Sequence, residues 1–122
     1  MDFNTNSPIY LQIADAVKRK ILSGQWRPGD KIPPVRELAL DLGVNPNTAQ
    51  RAVVLLESEG LLRTERTSGR YVTNDKSIIK RARQELTETQ IGEFMGSMRG
   101  IGYASGDVLE FFKEYIKRKE QS

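Results

Sequence analysis

The stretch PPVRELALDLGVNPNTAQRAVVLLESEG, residues 33–60, decides the fold. From Pro34 onward, Val35, Leu38, Ala39 and Leu42 recur at the spacing of one helical face, and Gly43 stops the run. Val44 returns to the core. Asn45 has the side chain of an N-cap, and Pro46 suits the first helical position. A second helix follows, with Ala49, Ala52, Val53 and Leu56 on its buried stripe and Gly60 at its end. Two helices joined across so short a turn must cross steeply, which predicts a helix-turn-helix. The second helix opens with a polar set, Asn45, Asn47, Thr48, Gln50 and Arg51. Base-reading side chains sit at that end of a recognition helix. Asn and Gln can make paired hydrogen bonds to adenine, and Arg to guanine.

Upstream, Tyr10, Ile13, Ala14, Val17 and Ile21 follow at helical spacing, with Ser7 placed to cap, Pro8 at the first helical position and Gly24 just past the end. Arg27-Pro28-Gly29-Asp30 reads as a turn, and Lys31-Ile32-Pro33 as a very short extended piece. Trp26, between helix and turn, reads as a packing lid. Downstream, residues 61–65 and 70–73 are strand candidates joined by the loop Arg66-Thr67-Ser68-Gly69, a hairpin with a basic tip at Arg66 and Arg70. Three helices and a hairpin in this order are the layout of a winged helix, with the wing beside the recognition helix. Residues 1–75 are therefore expected to form a winged helix-turn-helix DNA-binding domain.

After residue 75 the pattern is helical only. One helix is expected from about Lys76 to Met98, with Ile79, Ala82, Leu86, Phe94 and Met98 as its apolar positions. Gly100-Ile101-Gly102 breaks it, and Ser105 or Asp107 caps a last helix carrying Val108, Phe111, Phe112, Tyr115 and Ile116. Two such helices cannot enclose an adequate core alone. Their apolar stripes need a surface, which a second copy supplies, so residues 76–122 are expected to form a short two-helix dimerisation region in a closed two-fold dimer. The alternative is a tail folded back on its own winged domain. The fold class expected is thus mainly α with a small β-hairpin.

Composition narrows the function. The 122 residues hold 19 Lys and Arg against 16 Asp and Glu, a net charge of +3, so any electrostatic footprint must be local. There is no Cys and no His. Thiolate chemistry, disulfides and the commonest zinc ligand are therefore unavailable, and neither an enzyme, a metal site nor a cofactor is expected. No phosphate-binding glycine loop is present. No apolar run is long enough to span a membrane. The first ten residues lack the basic and apolar regions of a secretion signal, so a cytoplasmic location is expected.

Several segments carry a resemblance: Pro8-Ile9-Tyr10-x-Gln12-Ile13, Ile21-x-Ser23-Gly24, Pro28-Gly29-Asp30-Lys31-Ile32-Pro33, Arg36-Glu37-Leu38-Ala39, Leu42-Gly43-Val44, Leu56-Glu57-x-x-Gly60-Leu61 and Gly69-x-Tyr71-Val72. Collinear across residues 8–73, they resemble the DNA-binding domain of the GntR family of bacterial transcription regulators. Val44-Asn45-Pro46-Asn47-Thr48-x-x-Arg51-Ala52 and the short helical tail resemble its YtrA-type branch. The resemblance implies a DNA contact for Arg36, a phosphate contact for Thr48 and a minor-groove approach for Gly69. Pro46 and Gln50 stand where the common family pattern has arginines, so Asn47, Gln50 and Arg51 are the expected readers. The resemblance also implies a homodimeric repressor on a pseudo-palindromic operator, with transporter operons as the usual targets. No residue identifies a small-molecule effector. The other reading is a winged-helix protein–protein adaptor, which would be expected to lose the polar face that Asn47, Gln50 and Arg51 retain.

Overall fold

The computed structural model describes residue 3 and residues 6–121. The elements run α1 (Ile9–Leu22), α2 (Val35–Leu42), α3 (Pro46–Ser58), β1 (Leu62–Glu65), β2 (Gly69–Val72), α4 (Lys76–Gly100) and α5 (Ser105–Glu120). They fall into two compact units divided after Arg83. The first unit takes in the opening turns of α4.

In the first unit α1 and α2 both pack on α3, and α3 also meets β1. The core is the set of apolar positions that the periodicity brings to one side of each helix. Ile13, Val17 and Ile21 of α1, Leu38 and Ala39 of α2, and Ala49, Ala52, Val53 and Leu56 of α3 are all buried. Fully burying one of the Val, Leu or Ile side chains of this set contributes about 1.5–3 kcal/mol. Val44 and Leu42 are half-buried. Trp26 is half-buried and, with Val17, Pro33 and Leu38, lines a small hollow between α1 and α2, the place of a packing lid.

Glycine closes α2 and fixes its exit. Gly43 adopts left-handed φ 69° and ψ 38°. Its N–H donates to Leu40 O at 3.2 Å while Val44 N donates to Ala39 O at 2.9 Å. That pair is a Schellman motif, and it turns the chain directly into α3. Asn45 then caps α3 as expected, its Oδ1 accepting from Asn47 N at 2.8 Å with Pro46 following. The start of α1 departs from expectation. Pro8 itself is the N-cap, in extended conformation with ψ 143°, so Ser7 lies one residue too far out to cap. Gln12 Nε2 donates to Ser7 O at 2.9 Å instead.

β1 and β2 pair antiparallel, from Leu62 opposite Val72 to Glu65 opposite Gly69. The connecting loop is one residue shorter than expected, because Gly69 already pairs as the first residue of β2. Lys31 forms an isolated bridge with Tyr71, and Ile32 N donates to Arg70 O at 3.0 Å. The short extended piece thus lies along the outer edge of β2. Thr73 is buried, and its hydroxyl accepts from Asp75 N at 3.0 Å. Asp75 in turn accepts from Ser77 N at 2.9 Å and caps α4. The base of α4 is held to the winged domain by Arg83, whose Nη2 and Nε both donate to Leu22 O, at 2.8 and 3.2 Å. That carbonyl is one of those a helix C-terminus leaves without an intrahelical partner.

The second unit holds the rest of α4 and α5. Tyr103 N donates to Met98 O at 3.1 Å and Gly102 N to Arg99 O at 3.0 Å, a second Schellman turn, so α4 runs to Gly100 before it breaks. The N-cap of α5 is Ala104. Ser105 is already helical, and Asp107 helps from within the first turn by accepting from Ala104 N at 3.3 Å. Edge-to-face pairs join Phe94 to Phe112 and Tyr103 to Phe111, with centroids 5.9 and 5.2 Å apart. The residues expected at a dimer interface divide into three sets. Ile79 and Val108 are buried within the chain itself, Ile79 in the first unit, so neither is available to a partner. Ala82, Leu86 and Met98 are half-buried. Phe94, Phe111, Phe112, Tyr115 and Ile116 are exposed, as are Ile91 and Leu109, which the sequence reading omits. No helix is long and apolar enough to cross a membrane among the described residues.

Candidate nucleic-acid interface

Helix α3 separates its two jobs by face. Ala49, Ala52, Val53 and Leu56 are 0% exposed, while Asn47, Gln50, Arg51 and Val54 are exposed at spacings of three and four residues. Residues so spaced share one helical face. The polar set read from the sequence is therefore one solvent-facing stripe, which Val54 extends. The side-chain oxygen of Asn45 is occupied by its capping bond. Thr48 is half-buried beside the stripe.

One flank of this stripe borders a groove of about 350 Å³ lined by Lys31, Arg36, Gln50, Ser68, Gly69 and Arg70, together with residues 32–35. No lining residue is acidic. Arg36, at the start of α2, is exposed and lines this groove with Gln50 and the wing glycine. Gly69 has φ +123°, a left-handed conformation, and a Cβ there would stand 3.1 Å from Lys31 Cε. Glycine is favoured there by its backbone conformation, and a Cβ would also make the lysine lying over it shift by a few tenths of an ångström. Lys31 is a functional candidate that sequence reasoning missed. Its place depends on the bridge to Tyr71, which no local pattern announces.

The two wing arginines differ. Arg66 is exposed, with no ion pair among the described residues. Arg70 is half-buried and donates through Nε to Glu57 Oε1 at the end of α3, while Thr64 Oγ1 donates to Glu57 Oε2 at 2.7 Å. Partial burial works to raise the Glu57 carboxyl. The hydrogen bonds from Thr64 and Arg70, with the Arg70 charge, outweigh it and hold the group below the usual glutamate value. Arg70 therefore braces the wing against α3, and its charge is largely answered within the chain. On the other flank, Arg51 places its guanidinium carbon 3.8 Å from the centroid of the Tyr10 ring on α1. Arg51 is exposed but not loose.

A groove in which Lys31 and Arg36 have no ion pair among the described residues, next to an exposed stripe of Asn, Gln and Arg, can take a phosphate backbone and present hydrogen-bonding groups to base edges. The chain matches the family model described as bacterial regulatory proteins, gntR family, over residues 9–72. It is 35% identical over 118 residues to the HTH-type transcriptional repressor YtrA of Bacillus subtilis, covering 96% of this chain and 88% of that one. A GntR family transcriptional regulator from Listeria monocytogenes superposes with a TM-score of 0.84 at 34% identity, over 92% of this chain and 98% of the other. The DNA-binding domain of AraR, solved in complex with an operator, superposes with a TM-score of 0.55 at 30% identity over 60% of this chain and 93% of its own. The first two of these are named as a transcriptional repressor and a transcriptional regulator. The chain belongs to the GntR family of DNA-binding transcription regulators.

Proposed function

We propose that the protein is a homodimeric repressor that reads a pseudo-palindromic operator in the cytoplasm. The observation that carries the reading is the exposed stripe Asn47, Gln50 and Arg51 set beside the groove of Lys31, Arg36 and Gly69. In this reading α3 enters the major groove. Gln50, Arg51 and Asn47 read bases, Thr48 and Arg36 hold phosphates, and the wing follows the backbone with Gly69 closest to the minor groove. Arg66 supplies charge at the wing tip, whereas Arg70 acts through the wing's position.

Two observations support doubling. The second unit exposes Phe94, Phe111, Phe112, Tyr115 and Ile116 and, apart from Val108, buries no large apolar side chain among the described residues. An apolar surface of this kind on a small unit is normally covered, and a second copy covers it symmetrically. The similarity to YtrA, whose name describes a transcriptional repressor, extends through this region and favours repression. The family expectation for its target is a transporter operon.

Selection of bound sequences from a random duplex pool tests the reading. The expected product is an enriched motif of two inverted half-sites with centres about one helical turn, or a multiple of it, apart. A pool that enriches no motif at physiological salt contradicts sequence-specific recognition.

A further inference from the structure

We propose that Tyr10 is a positioning residue for base recognition: its ring holds the Arg51 guanidinium in one plane, ready for guanine. The proposal deepens the regulator reading and rests on it. Tyr10 lies in the first turn of α1, which packs on α3, so its position relative to α3 is fixed by the buried residues Ile13 and Val17. The guanidinium carbon stands 3.8 Å above the ring centroid, the separation of a stacked pair. No hydrogen bond or ion pair engages Arg51 among the described residues, and none engages the Tyr10 hydroxyl. The contact is therefore between the guanidinium and the face of the ring.

That geometry has a consequence for recognition. The five N–H donors of a guanidinium lie in its own plane, so stacking occupies a face and leaves every donor free. A bidentate contact to guanine O6 and N7 uses only the edge. Stacking also removes side-chain freedom before DNA arrives, so less is lost when the contact forms. Lysine at position 51 would keep the charge but lose the flat face. Two features of the sequence are thereby joined: the aromatic ring that opens α1 and the arginine that stands next to Gln50 in α3.

The test uses the full chain on duplexes carrying the selected operator and its variants with each guanine replaced in turn. Wild type, Tyr10→Leu, Tyr10→Phe, Arg51→Ala and the double variant Tyr10→Leu/Arg51→Ala are compared. Arg51→Ala is expected to abolish discrimination at one guanine of each half-site. Tyr10→Leu should reduce discrimination at that same guanine roughly two- to fivefold, the usual weight of an exposed cation–π contact. Affinity for non-specific DNA, its salt dependence and the melting temperature should not move. Tyr10→Phe should behave as wild type, and Tyr10→Leu should have no further effect once Arg51 is alanine. Four results would overturn the proposal: unchanged discrimination in Tyr10→Leu, an equal loss at every base, a loss in Tyr10→Phe matching that in Tyr10→Leu, or an effect that persists without Arg51. Should wild type discriminate among no sequences, the regulator reading fails, and this proposal falls with it.

Discussion

At the scale of single residues, the proposed reading divides the polar residues of α3 between affinity and specificity. Gln50 stands on the exposed stripe, so Gln50→Ala is expected to relax the preference at one base pair by about 1–3 kcal/mol. Thr48 sits half-buried beside the stripe. Thr48→Ala should weaken binding to all sequences alike, because a phosphate contact carries no sequence information. Competition binding against operator and scrambled duplexes separates the two; a Gln50→Ala protein with wild-type preference would remove it from the set of readers. Lys31→Ala should lower the slope of log K against log salt by about one unit. An unchanged slope would place Lys31 clear of the backbone. The exposed polar stripe was legible in the sequence, since helical spacing alone sets Asn47, Gln50 and Arg51 opposite Ala49, Ala52 and Val53. Val54 falls on the same stripe by the same spacing, an apolar member of a polar face. What each cation does was not legible. Arg70 meets Glu57, Arg51 meets Tyr10 and Lys31 covers Gly69 only after distant segments have packed.

Among the elements, the turn and the wing are each held by a small number of groups. At Gly43 a Cβ would meet nothing within 4 Å, so Gly43→Ala is a pure test of the left-handed backbone. It should cost about 1–2 kcal/mol in denaturant unfolding. Leu56→Ala, at a site 0% exposed, should cost about 2–5 kcal/mol. The wing is tied to α3 through Glu57, whose carboxyl is held below its ordinary value of 4.5 in the folded protein. A depressed carboxyl pKa contributes stability that is present above the unfolded value and is lost as pH falls through the folded one. Melting temperature should therefore decline as pH drops below about 4.5, and Glu57→Gln should flatten that part of the profile. An identical acid limb in wild type and Glu57→Gln would show that the brace adds nothing to the fold. The order and type of the elements followed from periodicity, glycine stops and the Asn45-Pro46 cap. Their edges did not. Pro8 takes the N-cap from Ser7, and Ala104 takes it from Ser105. Helix α4 outlasts its apolar pattern because the turn at residues 98–103 sets its end. Arg83 ties the start of α4 to Leu22 of α1, and Ile79 is buried in the same unit; neither can be read from a heptad or a cap.

For the whole molecule, a net charge of +3 gives little long-range attraction to DNA, so one winged domain with a few local cations is a weak binder. Joining two such domains raises affinity by effective concentration, on the order of 10²–10⁴-fold without any new contact. The exposed aromatic and aliphatic side chains of the second unit are the means proposed for that doubling. Ile116 is a clean probe of it, being exposed and outside both aromatic ring pairs of its own unit. The most direct measurement is therefore a paired titration of wild type and Ile116→Asp against a full operator and a single half-site, with sedimentation equilibrium on the same samples. The account predicts that wild type is a dimer at micromolar concentration and binds the full operator at least about 10²-fold more tightly than the half-site. It predicts that Ile116→Asp is monomeric and binds the half-site as wild type does, with no such advantage on the full operator. A wild-type protein that is monomeric at micromolar concentration, or an Ile116→Asp monomer that keeps full-operator affinity, would contradict it.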